Sequence, residues 1–262
     1  MSKGLLHFHS NFSYDGHNSI QEIVEWAKLE GLDFIILTEH DNDYDTEKYD
    51  KYVKECSINS NEIIIVPGIE YSFGLKRHIH FNVFGVNEFI KTNNSIEDLP
   101  RFLKYVEDKG GLSILNHPKS ITKEIKNVDF SSLFGVELWN TKSDFLYSPD
   151  PRTYKFIKRK LINKAIFATS DIHKIPKKIY AKISSDESIV DTKSVIDLIR
   201  ERKFYCVFED KKIENKYNEI KLSKVMLFMA GFHQKVYRVL RNIKRTLGLN
   251  ISTKIVKMIK LK

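Results

Sequence analysis

Nine histidines stand in the sequence, and eight of them precede residue 174. His7 and His9 are two residues apart, as are His78 and His80, and so are Asp171 and His173. Residues at i and i+2 of a strand point to the same side, so such a pair converges on one point. Asp15 follows in a Ser13-Tyr14-Asp15-Gly16 turn. Glu39-His40-Asp41 closes an apolar run, Glu70 follows Pro67-Gly68-Ile69, and His117 lies in Asn116-His117-Pro118. Imidazole nitrogens and carboxylate oxygens together are donors suited to divalent metal ions. Clustered divalent cations can acidify a bound water and offset negative charge on a reacting group. One histidine at a strand end is usually structural, whereas five separate clusters at strand ends point to a metal site.

Elements must carry these residues to one place. Residues 5–10 read as a strand. Residues 19–30 read as a helix, with Ser19 as N-cap, Glu22 as its capping-box partner and Ile20, Ile23, Val24 and Ala27 on one face. Residues 33–38 form a continuous apolar strand of the kind buried on both faces. Further strands are expected at 63–66, 78–85, 112–115, 136–139 and 165–169, and helices at 95–109, 153–161 and 194–202. This alternation argues for an α/β fold with a parallel sheet, closed or nearly closed. In a βα barrel the C-terminal strand ends share one face, where sites are built.

The motifs His7-x-His9, Ser13-x-Asp15-Gly16, Thr38-Glu39-His40-Asp41, Gly68-x-Glu70, His80 ahead of Gly85, Asn116-His117-Pro118 and Ser170-Asp171-x-His173 occur in this order. Together they resemble the PHP family, named for domains of bacterial DNA polymerases and of histidinol phosphatase. The resemblance implies a distorted (β/α)7 TIM-like barrel holding two or three divalent ions (Mn, Zn or Fe) and hydrolysing a phosphomonoester or phosphodiester. It implies one metal site from His7, His9, Glu70 and Asp171, and a second from Asp15, His40 and His173. A third would use His80 and His117, with Glu70 bridging; His78 is the alternative to His80. Asp15 and His173 would assist proton movement. Around the site, His17, Arg77 and Asn140 are expected to meet substrate, and Lys119, Arg152 and Lys174 could pair with phosphate. Glu39 and Asp41 are expected to orient histidines.

His80 and His117 are 37 residues apart, which leaves no room for the inserted helical domain of relatives acting on nucleotides. No polymerase module accompanies the motifs, so no proofreading role is expected of this polypeptide. Two other readings stand beside the phosphoesterase. One is a protein-tyrosine phosphatase linked to polysaccharide synthesis. The other is a non-catalytic metal-stabilised docking module.

The 262 residues suffice for one sizeable domain with an appendage. The net charge of +9 is unevenly placed: residues 222–262 hold ten Lys/Arg and no Asp or Glu, leaving 33 basic against 34 acidic elsewhere. We therefore expect a barrel over residues 1–221 and a basic amphipathic helical tail over 222–262. Val225, Phe228, Met229, Phe232, Val236, Val239, Leu240, Ile243 and Leu247 fall on one helical stripe, with Lys235, Arg238, Arg241 and Arg245 on the other side. Gly248 would break the helix, and a second basic segment follows from 251. The stripe could pack on the barrel, lie on an anionic membrane or accompany nucleic-acid contact; nucleic acid has the weakest support, since only Tyr237 approaches the cationic side. Residues 1–9 contain no apolar signal region, and Cys56 and Cys206 match no ligand spacing. A cytoplasmic protein with reduced thiols is expected, peripheral at the inner membrane face if the tail binds lipid.

Overall fold

The computed structural model describes residues 1–42, 44–75, 78–118, 123–209, 211–220 and 222–247. Strand β1 (Ser2–Phe8) leads through a turn into helix α1 (Ile20–Leu29). The Ser19 hydroxyl accepts from the Glu22 N–H and the Glu22 carboxylate accepts from the Ser19 N–H, so the capping box is present as the spacing predicts. β2 (Phe34–Leu37) and β3 (Glu39–His40) run on from one another, separated by Thr38. β4 (Ile64–Val66) and β5 (Gly68–Phe73) are separated by Pro67, which has no N–H for a ladder. Helix α2 (Thr46–Asn59) lies between these two pairs. The chain continues through β6 (Ile79–Phe84), α3 (Leu99–Asp108), β7 (Leu112–Leu115), β8 (Gly135–Asn140), α4 (Pro151–Lys160) and β9 (Ala165–Thr169). It then adds β10 (Ala181–Ser185), α5 (Thr192–Arg200), β11 (Tyr205–Phe208), β12 (Lys211–Glu214) and α6 (Lys224–Leu247).

The strands form two six-stranded sheets, ordered β12-β11-β10-β1-β2-β4 and β3-β5-β6-β7-β8-β9. The pairings β1–β2–β4, β3–β5 and β7–β8–β9 are parallel, whereas β5–β6–β7 and β1–β10–β11–β12 are antiparallel. The expected all-parallel sheet is thus corrected to two mixed ones. Part of the reason lies in the short links from β5 to β6 and from β11 to β12, which permit only antiparallel returns. Beyond β9 the chain meets β1: the Ile172 N–H donates to His7 O (3.0 Å) and the His9 N–H donates to Ile172 O (2.8 Å).

Leu6, Phe34, Ile36, Val66, Ile114 and Phe167 belong to one buried cluster; their strand neighbours Leu5, Ile35, Leu37, Ile65, Leu115 and Ile166 belong to another. Successive residues therefore face opposite sides, and both sides are covered, which explains the uninterrupted apolar runs. Helix α2 was not anticipated, because it buries only Tyr49, Tyr52 and Cys56 along 14 residues and shows little apolar periodicity. Helix α3 starts at Leu99 rather than at 95, with Pro100 in its first turn.

Helix α6 lies against α4. Ala230 is fully buried, Gln234 Nε2 donates to Asp150 Oδ2 (2.6 Å), and His233 Nδ1 is 2.6 Å from the Tyr147 hydroxyl. Val225, Phe228, Met229, Phe232 and Val239 are exposed. The reading in which this stripe packs on the barrel is corrected: the helix docks through the opposite face. The side chains of Leu240, Ile243 and Leu247, and the segment from 248, lie outside the described residues. Among the described residues, no helix is long and apolar enough to cross a membrane.

Candidate metal centre

His7 is the penultimate residue of β1, and His9 follows it. His40 ends β3 and pairs in register with Glu70 of β5. His117 follows β7, and Asp171 and His173 follow β9. His80 sits near the start of β6, not at its end. Because β6 runs antiparallel to β5 and β7, its beginning lies on the rim where those two strands finish.

Four sets of donor atoms lie close enough to share an ion: His7, His9 and Glu70; His7, His117 and Asp171; His9, His40 and His173; and Glu70, His80 and His117. His7 Nε2 is 3.3 Å from Glu70 Oε1 and 3.5 Å from Asp171 Oδ1. His9 Nε2 is 3.6 Å from Glu70 Oε2 and 3.5 Å from Asp171 Oδ1. Asp15 reaches His40 Nε2 at 3.3 Å and His173 Nε2 at 3.1 Å. Glu70 Oε1 lies 3.0 Å from His80 Nδ1 and 3.6 Å from His117 Nε2. All nine residues of the expected ligand set therefore meet in one place. His78 belongs to none of these sets and pairs with Glu124 at 2.9 Å.

Several features suit a cation. His7 Nε2, His9 Nε2 and Asp15 Oδ1 are buried without a hydrogen-bond partner among the described residues, although oxygens or nitrogens of the cluster stand just beyond bonding distance. Such atoms are costly to bury unless something satisfies them. Burial opposes charge on His7, but Glu137, Asp171 and Glu70 hold its pKa well above the ordinary value; a proton there takes the place of a metal's charge. Burial would raise Glu70 and Asp171, yet the surrounding imidazoles, His7 foremost, hold both well below the carboxylate range. Burial pushes His9 down to about 3, leaving it neutral, as a ligand must be. His7, His117 and Asp171 also have φ of 71°, 26° and 49°, a conformation that side-chain-bearing residues adopt at a cost and that collects at functional sites.

Groups behind the ligands fix them. Glu137 Oε1 is 2.6 Å from His7 Nδ1, and its carboxylate accepts from the His117 N–H (2.9 Å), Asn140 Nδ2 (3.0 Å) and the Thr169 hydroxyl (2.6 Å). Asn116 Nδ2 donates to Glu70 Oε1 at 2.7 Å. Glu39 accepts from the Ser10 N–H and from the hydroxyls of Ser10 and Ser13, and burial pushes it up to about 7. Ser13 Oγ in turn accepts from the His40 N–H and is 3.4 Å from His9 Nδ1, so Glu39 acts on these histidines through a serine. Asp41 accepts from Ser72 and Asn94.

Asn140 is corrected as a substrate contact. It is fully buried, its Nδ2 is spent on Glu137 and its Oδ1 accepts from the Lys142 and Ser143 N–H groups. His17 is exposed, and its N–H donates to His173 O (2.9 Å). Arg152 is spent on Asp150, while Arg77 and Lys119 lie outside the described residues. The cation that the structure brings to the centre is Lys142, whose Nζ is 3.3 Å from Asp171 Oδ1 and 3.1 Å from His173 Nδ1. With Lys174 and Lys178 it lines a cavity of about 320 Å³ beside Asp171 and His173.

The PHP domain model matches residues 6–235. The chain belongs to the PHP family. Over 73 residues, 28% of this chain, it is 40% identical to an error-prone DNA polymerase of Nocardia farcinica, and it spans only 6% of that protein. An amidohydrolase from Chromobacterium violaceum, solved with sulfate and no metal, has a TM-score of 0.50 at 15% identity, covering 77% of this chain and 96% of its own. A histidinol phosphate phosphatase from Lactococcus lactis, complexed with zinc, L-histidinol and phosphate, is 17% identical over 68% of this chain and 88% of its own, with a TM-score of 0.35. The likeness to the amidohydrolase bears on the fold alone.

Proposed function

We propose that this PHP protein is a metal-dependent hydrolase of a phosphomonoester or phosphodiester. In this reading, residues 1–221 form the catalytic body, a distorted (β/α)7 barrel. The observation that carries the proposal is the convergence of nine histidines and carboxylates into one centre, in which the two oxygens of Glu70 face five imidazoles. His7, His9, Glu70 and Asp171 would hold one ion, Asp15, His40 and His173 a second, and His80 and His117 a third with Glu70 bridging. When bound, two or three ions (Mn, Zn or Fe) would offset phosphoryl charge, acidify a water and stabilise the leaving oxygen.

The chain's own residues do the rest. Glu137 fixes His7 through Nδ1 and leaves Nε2 free to ligate. Lys142 stands where its ammonium can turn from Asp171 to a phosphoryl oxygen. Asp15 and His173, 3.1 Å apart at the exposed side of the centre, are suited to pass a proton to the leaving group. The lysine-lined cavity supports a small anionic substrate over a neutral one.

The test is elemental analysis of the purified protein with a panel of mono- and diesters, with and without Mn²⁺, using His9→Ala and Asp171→Ala as controls. Two or three ions per chain and turnover lost in both variants support the reading. Bound metal without turnover of any ester leaves a docking module, and a folded protein that takes up no metal overturns the proposal.

A further inference from the structure

We infer that α6 is an interfacial helix that seats the protein on an anionic lipid surface. This inference does not depend on the metal centre. Its first observation is directional. At 100° per residue, Val225, Phe228, Met229, Phe232, Val236 and Val239 share one side of the helix, while Leu227, Ala230 and Gln234 share the other. The second side is the docked one: Ala230 is buried and Gln234 is bonded to Asp150 of the α4 N-terminus. The apolar side therefore faces outward, with Phe228 75% and Phe232 58% exposed. An apolar face held outward by a polar dock needs something to cover it.

The second observation is charge. A groove of about 540 Å³ runs between α4 and α6, with Pro151, Tyr154, Leu227 and Phe232 among its lining residues. Four lysines line it as well: Lys155 and Lys158 from α4, and Lys224 and Lys235 from α6. All four are exposed, and no carboxylate is among the lining residues. The last turn of α4 adds Arg159 and Lys160. The ten Lys/Arg of residues 222–262 stand without a single acidic residue.

Apolar side chains at the centre and lysines at the edge match the two layers of a membrane surface, acyl chains beneath and anionic headgroups beside them. A second copy of this chain would bring the same positive charge and be repelled. The basic segment 251–262 would meet the groove's lysines with like charge. Single-stranded nucleic acid also takes aromatics among cations, but here Phe228 and Phe232 continue into an exposed aliphatic stripe of Val225, Met229 and Val239, which acyl chains would cover and stacked bases would not.

The experiment uses the full chain and co-sedimentation with phosphatidylcholine vesicles, with and without phosphatidylglycerol. Binding is expected only with phosphatidylglycerol and should weaken as salt rises. Phe228→Ser with Phe232→Ser should weaken it at least about tenfold. Lys155→Gln, Lys158→Gln, Lys224→Gln and Lys235→Gln together should do the same and flatten the salt dependence. Each affected side chain is exposed, so melting temperatures should match the parent. Failure to bind, binding indifferent to phosphatidylglycerol, or variants that bind like the parent would overturn the inference. So would a dimer in light scattering that the phenylalanine variant returns to monomer, or equally tight salt-sensitive retention on single-stranded RNA.

Discussion

Glu137 holds His7 at 2.6 Å, fixes the His117 backbone and is itself held by Thr169 and Asn140. Glu137→Gln should weaken metal binding by about tenfold to a hundredfold, the usual cost of losing a partner behind a metal histidine, measured by competition with a chelating dye. Lys142→Met should behave differently. It should leave metal content unchanged and lower kcat/KM on the best ester by about tenfold to a hundredfold, since a charge-assisted bond is worth about 1.5–3 kcal/mol. Protons should compete with metal. His7 keeps its proton well above the usual range in the metal-free protein, so its contribution to stability is complete below the unfolded value of 6.5 and is lost as pH rises through the folded one. Glu39, raised from 4.5 to about 7, acts in the same direction: between those values the folded chain holds a proton that the unfolded chain has released. His9, held down to about 3, and His173, also lowered by burial, act the other way below about 6.5, so chelated protein should melt lower as pH climbs from about 6.5 to 8, and adding Mn²⁺ in weak buffer should release protons. The nine donor residues that the structure brings together were legible because their chemistry is rare and their spacing repeated. Glu137 was hidden inside the apolar run Val136-Glu137-Leu138-Trp139, where a carboxylate reads as an anomaly rather than a partner, and Lys142 belongs to no motif at all.

Among the elements, the turn after β1 is the most constrained. A Cβ on Gly16 would fall 1.8 Å from Ser10 O, too close for any atom, and Ser13 in the same turn ties Glu39 to His40. Gly16→Ala should cost about 1–3 kcal/mol in chemical denaturation and displace Asp15, lowering metal occupancy as well. Strands with buried flanks were readable from their apolar runs, and α1 from its capping box. Strand direction was not: the residues of β6 look the same whichever way it runs, and only the five-residue span 74–78 between β5 and β6 hints at a return. α6 illustrates a related limit. Its periodicity reveals that one side is apolar, but whether that side meets the protein depends on Tyr147 and Asp150, which lie far away in sequence.

At the scale of the molecule, two sheets with both faces covered leave Glu39, Asp41, Glu70, Glu137 and Asp171 buried together at the rim. Ions bound there favour only the folded state, so saturating Mn²⁺ at about a hundred times its dissociation constant should add about 2.7 kcal/mol to unfolding, read from denaturant midpoints with and without chelator. The junction beyond β9 gives this linkage a location. Ile172, bonded through its backbone to both His7 and His9, stands between Asp171 and His173. The residue that brings the chain beyond β9 back to β1 is thus flanked on both sides by candidate donors to the same centre. Metal bound there would act as a clasp, and a chelator should loosen the seam before the sheets. Amide hydrogen exchange at His9 and Ile172 would then quicken while the middle of β8 stays protected, so the first sign of metal loss would be an unbuttoning along one line of the molecule.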